Sequence, residues 1–182
     1  MELITQMLEE LCALSTEISN DDVEMLCTEI RGARRVYLAG RGRSGLISKM
    51  FTMRLMHLGL EAYAVDEVVT PAIGPGDLLI LCSGSGETAS LKAMTDKAAH
   101  YQARIVLITA NAESYLAAKA DKKIVIEGYT PKNEKNSHHS IQPMGSQFEQ
   151  MMMFTLEAAV LTLKKQLGVS EQEMMRRHAN LE

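Results

Sequence analysis

Five short apolar segments recur along the middle of the chain, and stretches with helical spacing lie between most of them. The segments are the runs at 36–39, 61–65, 77–82, 104–109 and 122–127. Nearly continuous apolar strands that alternate with helices are typical of a parallel sheet covered on both faces. The sequence therefore predicts an α/β fold, a three-layer α/β/α sandwich with a five-stranded parallel sheet.

Helical periodicity continues outside this central region. The predicted helices that follow or separate the strands lie at about 44–59, 87–101, 113–120, 146–167 and 170–178. Residues 1–32 carry apolar side chains at helical spacing with a break at Ser19 and Asn20, which predicts two amphipathic helices or one long bent helix. We expect this arm to pack against another subunit. The polar, aperiodic segment 128–146 is predicted to be a surface loop.

Composition limits the classes of protein that fit this pattern. A chain of 182 residues, 46% of them apolar, is expected to form one domain over 1–182 that includes the arm at 1–32. Its net charge of −4 argues against a nucleic-acid partner, because neutralising phosphates needs clustered basic residues. The sequence has no basic leader segment and no apolar run of about 18 residues, which predicts a cytoplasmic protein without a membrane partner.

Cysteine spacing gives no sign of a metal site or a disulfide framework. Cys12, Cys27 and Cys82 are odd in number and unrelated in spacing, so we expect all three to be reduced packing residues. The methionine run at 151–153 is likewise expected to fill the core or a subunit contact.

Two strand ends lead into loops rich in glycine and serine. The first strand ends in "GRGRSG" at 40–45 and the third ends in "SGSGET" at 83–88. Glycines let backbone N–H groups face a ligand, hydroxyls can donate hydrogen bonds, and a helix N-terminus favours an anion. The predicted phosphate-binding residues are Gly42, Arg43, Ser44, Ser83, Gly84, Ser85 and Thr88.

Two simpler interpretations of these loops remain open. In the first, Ser85 and Thr88 do no more than cap a helix, and the glycines make ordinary turns. The glycines at 40, 42 and 45 also match the spacing of a dinucleotide-binding loop. A second serine-rich loop has no role in nicotinamide binding, so the pair of loops favours a phosphate group that is held and not attacked.

Five segments together carry a family resemblance. They are "GRGRSG", "TPAIGPGDLLI", "SGSGET", "QPMGSQFEQ" and "RRHANLE". In order and spacing they resemble the sugar isomerase (SIS) domain family, and within it the 6-phospho-3-hexuloisomerases. The resemblance implies a SIS-like five-stranded sandwich, a homotetramer with sites shared between subunits, and no metal or organic cofactor. It also implies interconversion of D-arabino-3-hexulose 6-phosphate and fructose 6-phosphate in formaldehyde fixation by the ribulose monophosphate pathway.

The same resemblance suggests the catalytic residues. Glu149 follows the "QPMGS" turn at the start of the last long helix and has apolar neighbours, so it is the candidate base. His178, in the terminal "RRHANLE", is the candidate for proton transfer at the sugar oxygens, with its tail reaching an active site that could belong to a neighbouring subunit. His57 is a reserve acid. Without the resemblance, these residues fit a helix-dipole acid, a tail histidine and a core histidine.

Three questions stay open at this point. Another phosphosugar isomerase would share most of these features, and a non-catalytic phosphosugar sensor would share the fold and the phosphate loops. Arg43 could pair with phosphate or with an acid of the adjacent subunit. Glu87 could be a helix-capping acid or a catalytic one.

Overall fold

A computed structural model describes residues 2–128 and 139–181. Most of the predicted surface loop at 128–146 therefore lies outside the described residues. Within the described ranges, no helix is long and apolar enough to cross a membrane.

All five predicted strands form, and they assemble into one parallel sheet. The strands are β1 (Val36–Gly40), β2 (Ala62–Ala64), β3 (Leu78–Cys82), β4 (Arg104–Thr109) and β5 (Lys122–Val125). Their order across the sheet is β2-β1-β3-β4-β5, with every neighbouring pair parallel. In this register Val36 lies between Ala62 and Leu78. The predicted five-stranded parallel sheet is confirmed.

Seven helices surround the sheet in the described part of the chain. They are α1 (Glu2–Ser15), α2 (Asn20–Arg31), α3 (Gly42–His57), α4 (Ala89–His100), α5 (Tyr115–Lys119), α6 (Ser146–Leu167) and α7 (Glu171–Arg176). The arm is two helices, because Ser19 caps α2: the side chain of Ser19 accepts from the Asp22 N–H, and the Asp22 carboxylate accepts from the Ser19 N–H.

Side chains on the two faces of the sheet form two separate apolar cores. Val36 and Leu38 of β1 pack in a core with residues of α1, α2, α3 and α6, whereas Tyr37 and Ala39 pack in a core with residues of α4 and α5. Alternate residues of a strand point to opposite faces, so β1, β3 and β4 each supply both cores. This arrangement confirms the three-layer sandwich.

The N-terminal arm belongs to the larger of these cores. Leu11 and Leu14 of α1 and Leu26 and Ile30 of α2 are buried there beside α6. The outer face of α1 stays exposed at Leu3, Ile4 and Leu8. The arm therefore packs on its own domain, which the sequence pattern did not reveal.

Four sulfur-containing side chains lie in the core. Met151 and Met152 are buried, and so are Cys27 and Cys82, as expected for packing residues. Burial raises the pKa of Cys27 to about 11 and that of Cys82 to about 12, so neither thiol is an effective nucleophile at neutral pH. The prediction was wrong for Cys12, which is exposed on α1.

Candidate active site

The order of the strands creates a crevice at one edge of the sheet. β1 and β3 are neighbours, but the chain leaves β1 toward β2 on one side and leaves β3 toward β4 on the other. The two connections diverge at the carboxyl ends of the strands, and ligands of open α/β sheets bind at such a point. Both predicted phosphate loops begin there.

The loop after β1 brings α3 close against the end of the strand. A Cβ atom on Gly40 would lie 2.9 Å from backbone atoms of Gly45, and one on Gly45 would lie 2.9 Å from the Gly40 carbonyl oxygen. Because no side chain fits between them, the first turn of α3 starts directly at the crevice. Ser44, in that turn, is buried.

The loop after β3 is shaped by its own serines. The Gly86 N–H donates to Ser83 Oγ at 3.2 Å, and the Glu87 N–H donates to Ser85 Oγ at 3.3 Å. Gly86 has a φ of +63°, and a Cβ atom there would lie 1.9 Å from Ser114 Oγ. The residue at this position must therefore be glycine for the loop to keep its shape.

Three long helices begin around the crevice. They are α3, α4 and α6, of 16, 12 and 22 residues. The N-terminal ends of helices carry partial positive charge and unpaired N–H groups, so together they favour an anion. Thr88 is the N-cap residue of α4, yet its side chain makes no capping hydrogen bond. That observation weakens the interpretation of Thr88 as a simple cap.

These elements enclose a cleft of about 170 Å³. Six of the residues predicted for the site line it: Ser44, Ser83, Gly84, Ser85, Thr88 and Glu149. Six further lining residues were not predicted: Arg41, Cys82, Leu91, Met144, Gly145 and Phe148. The structure thus brings the β3 loop, the start of α3 and the candidate base to one small space.

Glu149 lies in the first turn of α6 and is only partly accessible, with 16% of its side chain exposed. Its Oε2 atom accepts a hydrogen bond from Nε of Arg43, which is 63% exposed. Arg43 itself does not line the cleft. Within this chain Arg43 pairs with an acid of its own subunit, and its pairing with phosphate stays a prediction.

Arg41 is the main lining residue that sequence reasoning missed. Its Nε donates to Ser90 Oγ at 3.0 Å, and its Nη1 pairs with Asp66 and with the Gly40 carbonyl oxygen. It therefore connects the ends of β1 and β2 to the start of α4. The only signal in the sequence was its place inside the "GRGRSG" loop. Gly42, which was predicted, lines a smaller neighbouring cavity beside Arg41.

Glu87 has a structural role in this loop. Its Oε1 accepts from the Tyr115 N–H at 2.7 Å, at the start of α5, and its carboxylate pairs with Lys92. Hydrogen bonds from Lys92 and then from the Tyr115 N–H lower the pKa of Glu87. Glu87 does not line the cleft, so the capping interpretation is the one that the geometry supports.

His57 and His178 do not reach the cleft of their own chain. His57 ends α3 and Ser44 lies in its first turn, so about 20 Å of helix separate them. The two imidazoles stack with centroids 5.4 Å apart and an angle of 19° between their planes. Arg177 Nη1 donates to the His57 carbonyl oxygen at 3.0 Å, which holds the C-terminal tail on this far end of α3.

The environment of His57 favours its neutral form. Only 3% of the residue is exposed. Burial first, and then the positive charge of Arg54 and the nearby His178, lower the pKa of His57. His57 lies far from the cleft of its own chain. A role of its imidazole at the oxygen atoms of a substrate would therefore require the cleft of another chain.

Comparison with known proteins places the chain among phosphosugar proteins. The model of the SIS domain family matches residues 29–161. The chain is 41% identical to the 3-hexulose-6-phosphate isomerase of Bacillus subtilis, over all of this chain and 98% of the Bacillus protein. It is 38% identical to the enzyme of the same name from Mycobacterium gastri, over 96% of this chain and 87% of that protein.

A solved structure from Methanococcus jannaschii agrees with these sequence matches. It superposes with a TM-score of 0.86 over the full length of both chains at 32% identity, and it is described as inferring a 3-hexulose-6-phosphate isomerase function. The family match covers more than half of the chain, and the similarity to the two isomerases extends over nearly all of it. The chain therefore belongs to the SIS domain family.

Proposed function

We propose that this protein is an isomerase that interconverts D-arabino-3-hexulose 6-phosphate and fructose 6-phosphate. The observation that carries this proposal is the cleft in which the serine-rich β3 loop and the carboxylate of Glu149 face the same space. The relatives named 3-hexulose-6-phosphate isomerase support the choice of substrate. We place the reaction in the cytoplasm, in formaldehyde fixation by the ribulose monophosphate pathway.

The phosphate group is held by the loop after β3 in this proposal. Ser83 Oγ and Ser85 Oγ each accept a backbone N–H within the loop, which leaves their hydroxyl hydrogens to donate to phosphate oxygens. The hydroxyls of Ser44 and Thr88 line the same cleft. The positive ends of α3 and α4 add a favourable interaction with a dianion.

Isomerisation moves the carbonyl from C3 to C2 without net oxidation. Glu149 removes the proton from C2, the C–H electrons form the C2–C3 double bond, and the C3 carbonyl oxygen takes up a proton to give a cis-enediol. The C2 hydroxyl then becomes the carbonyl by giving its proton back to the group that protonated the C3 oxygen, for which His178 of a neighbouring subunit is the candidate, and C3 receives a proton from Glu149. A positioned carboxylate contributes roughly 10²- to 10⁴-fold to a step of this kind.

Arg43 occupies only Oε2 of Glu149, and in the proposed mechanism substrate binding frees that oxygen as well. The Arg43 side chain is largely exposed, so it can turn to a sugar phosphate without opening a packed core. In the proposed mechanism the incoming dianion replaces Glu149 as the partner of Arg43. Phosphate binding and release of the base are then the same event.

We extend the proposal to a homotetramer in which subunits share sites. Exposed apolar side chains run along α3 at Leu46, Met50 and Met53 and along α6 at Phe154 and Leu161. These helices are neighbours, since Arg54 and Glu157 approach to 4.0 Å. A continuous exposed apolar surface of this kind favours a subunit contact. Such a contact gives His57 and His178 a route to the cleft of a partner.

The activity is tested with purified protein and 3-hexulose 6-phosphate, with fructose 6-phosphate followed through a coupled dehydrogenase. We expect turnover by the wild type and a loss of about 10²- to 10⁴-fold in kcat for Glu149→Gln. Glu157→Gln, a partly exposed acid farther along α6, is the control and should keep wild-type kcat. Tight binding of the sugar phosphate with no turnover by the wild type would instead support the sensor alternative.

Site sharing is tested by mixing two impaired variants, Glu149→Gln and His178→Ala, under conditions that exchange subunits, with activity assayed from fructose 6-phosphate. Shared sites predict recovery of part of the activity, because some mixed sites contain both intact residues. We also expect His178→Ala to lower kcat from fructose 6-phosphate more than kcat toward it, because only the furanose form of fructose 6-phosphate needs ring opening; kcat/KM must change equally in both directions, since the equilibrium constant is fixed. Equal loss of kcat in both directions, with no recovery on mixing, would contradict the shared histidine.

A further inference from the structure

A single carboxylate of the N-terminal helix holds the segment that leads into the candidate active site. Glu10 of α1 accepts hydrogen bonds from Ser140 Oγ at 2.7 Å, from the Ile141 N–H at 2.8 Å and from Gln142 Nε2 at 3.3 Å. The bonded residues are about 130 positions away in the chain. We name this arrangement the Glu10 clamp, meaning Glu10 together with residues 140–142.

The clamped segment is continuous with the wall of the cleft. Met144 and Gly145, two and three residues after the clamp, line the cleft. The Ser146 N–H donates to the Pro143 carbonyl oxygen at 3.2 Å, and the Glu149 N–H donates to the Gly145 carbonyl oxygen at 3.0 Å. These bonded residues follow directly on the clamp, so residues 143–145 connect it to the first turn of α6, where the base lies.

Gln142 shows that the segment is held firmly in place. It is only 4% exposed, and its side-chain oxygen has no hydrogen-bond partner among the described residues. A buried carbonyl oxygen without a donor is unfavourable. The contacts of Glu10 with its side-chain amide and with the two preceding residues offset that cost. The Gln142 N–H in turn donates to Ser140 Oγ at 2.9 Å, so the clamp is internally connected.

Glu10 is ionised over the physiological pH range. Burial on its own would raise the pKa of Glu10, but the hydrogen bonds from Ser140, Ile141 and Gln142 bring it below the ordinary value. Hydrogen bonds to a charged acceptor are stronger than those to a neutral one. The clamp therefore needs a carboxylate at this position and not only a polar side chain.

We propose that Glu10 is a positioning residue for the isomerisation: it fixes residues 140–142 so that the first turn of α6 presents Glu149 to C2 of the substrate. This inference rests on the proposed function. It also gives the N-terminal helix a role in its own active site, beyond the subunit packing that its sequence pattern suggested. The phosphate loop at 83–88 has no hydrogen bond to the clamp among the described residues, so a change at Glu10 leaves the hydrogen bonds of that loop in place.

The Glu10 clamp and the phosphate loop share no hydrogen bond among the described residues, so turnover and phosphate binding can be measured as separate effects of a change at Glu10. Glu10→Ala should lower kcat by about 10- to 100-fold, because misplacement of a reacting group by about 1 Å has effects of that size. Competitive inhibition by inorganic phosphate should stay within about 2-fold of the wild-type value, since the phosphate loop is untouched. Glu10→Gln should retain more activity than Glu10→Ala, and Glu9→Gln, its exposed neighbour on α1, should match the wild type.

Amide hydrogen exchange provides a readout that does not depend on turnover. The Ile141 N–H should exchange faster in Glu10→Ala than in the wild type, because its acceptor has been removed. An unchanged kcat in Glu10→Ala with faster exchange at Ile141 would overturn the positioning role. Parallel loss of kcat and of phosphate inhibition would also overturn it, because it would indicate a general loss of structure. If Glu10→Ala does not fold, Glu10→Gln is judged by the same two measurements.

The two proposals fail in different ways in this experiment. If the wild-type protein binds sugar phosphate without turning it over, the proposed function is wrong, and so is the positioning role that rests on it. A wild-type protein that turns over normally, beside a Glu10→Ala variant of equal kcat, removes only the positioning role.

Discussion

Two carboxylates are paired with arginine at opposite ends of the sheet, and their surroundings differ sharply. Asp77, just before β3, has a side chain that is 0% exposed. It accepts two hydrogen bonds from Arg34, two from Arg35 and one from the Gly74 N–H. Glu149 at the cleft accepts one hydrogen bond, from the largely exposed Arg43.

The difference separates a structural carboxylate from one that is available for chemistry. Five donors occupy the acceptor positions of Asp77, so it has no capacity left for a proton from a substrate. Although burial opposes it, the hydrogen bonds from Arg35, the Gly74 N–H and Arg34 lower the pKa of Asp77. Glu149 keeps most of its acceptor capacity and has a partner that solvent or substrate can displace. The number and exposure of the donors, more than pairing with arginine, distinguish the two sites.

The largest effect on stability is expected at Asp77. Asp77→Ala leaves Arg34 and Arg35 without their shared partner and should lower the free energy of unfolding by about 3 kcal/mol, the lower end of the range for breaking a buried ion pair. Chemical denaturation monitored by circular dichroism measures this loss. Activity at 25 °C should persist in the folded fraction, because six residues of extended chain, about 20 Å, separate Asp77 from Ser83.

Glu67→Ala is the matched control for this variant. Its carboxylate pairs with Lys49, and both side chains are about half exposed. An exposed pair contributes roughly 0–1 kcal/mol, so the control should unfold close to the wild type. If both variants lost the same amount of stability, burial would not explain the contrast between the two ends of the sheet.

The next largest effect is expected at Gly86, at the cleft end of the sheet. Gly86→Ala should destabilise the protein by about 2 kcal/mol or more, since a non-glycine residue in this region of φ costs roughly 1–2 kcal/mol before any steric clash. The clash with Ser114 adds to that cost and should also weaken inhibition by phosphate. Denaturation and inhibition measurements on the same preparation test both effects.

Gly168→Ala separates the two causes. Gly168 has nearly the same φ, +65°, but nothing lies within 4 Å of a Cβ atom there. The Gly168→Ala variant should lose only the part of the free energy of unfolding that comes from the backbone conformation, and phosphate should inhibit it as it inhibits the wild type. Equal losses in the two variants would mean that contact with Ser114 does not matter.

Local sequence patterns predicted the fold and the glycine- and serine-rich wall of the cleft. Apolar runs with helices between them fixed the strands, because burial on both faces leaves little room for polar side chains. The loops at 40–45 and 83–88 were recognisable since glycine, serine and a following helix start lie within a few residues of each other. The resemblance to a known family added Glu149, which periodicity alone could not distinguish from a helix-dipole acid.

Contacts between distant parts of the chain could not be predicted in this way. The partner of Arg43 lies 106 residues away, and Glu10 holds residues about 130 positions later. No local spacing encodes such pairs. His57 and His178 were named separately as candidates, but their stacking at the far end of α3 depends on the path of the C-terminal tail. Arg41 was visible in its loop, yet its route to Asp66 required the strand order.

Acid should lower the free energy of unfolding mainly by protonating Asp77. The pKa of Asp77 is lower in the folded protein than its unfolded value of 3.8, so the folded state binds this proton less readily. The stabilisation is complete above about pH 4 and is lost as pH falls through the lower folded value, at about 1.4 kcal/mol for each unit of difference in pKa. Urea denaturation between pH 5 and pH 2 measures it.

Asp77→Asn is the comparison for the acid series, because the amide does not titrate in this range. The stability of the variant should fall less steeply with acid than that of the wild type. Identical slopes would show that other carboxylates, such as Glu10, account for the acid sensitivity.

The smallest effect on stability is expected for Arg43→Ala. An arginine that is 63% exposed contributes roughly 0–1 kcal/mol through its ion pair, so the free energy of unfolding should change by less than about 1 kcal/mol. Arg35→Ala, which removes a donor of the buried Asp77, should cost clearly more because its side chain is only 16% exposed. The KM for the sugar phosphate should nevertheless rise in Arg43→Ala, since the proposed mechanism transfers this guanidinium to the dianion. Comparable destabilisation in the two variants would make Glu149 a structural carboxylate like Asp77, and the functional contrast between the two ends of the sheet would be lost.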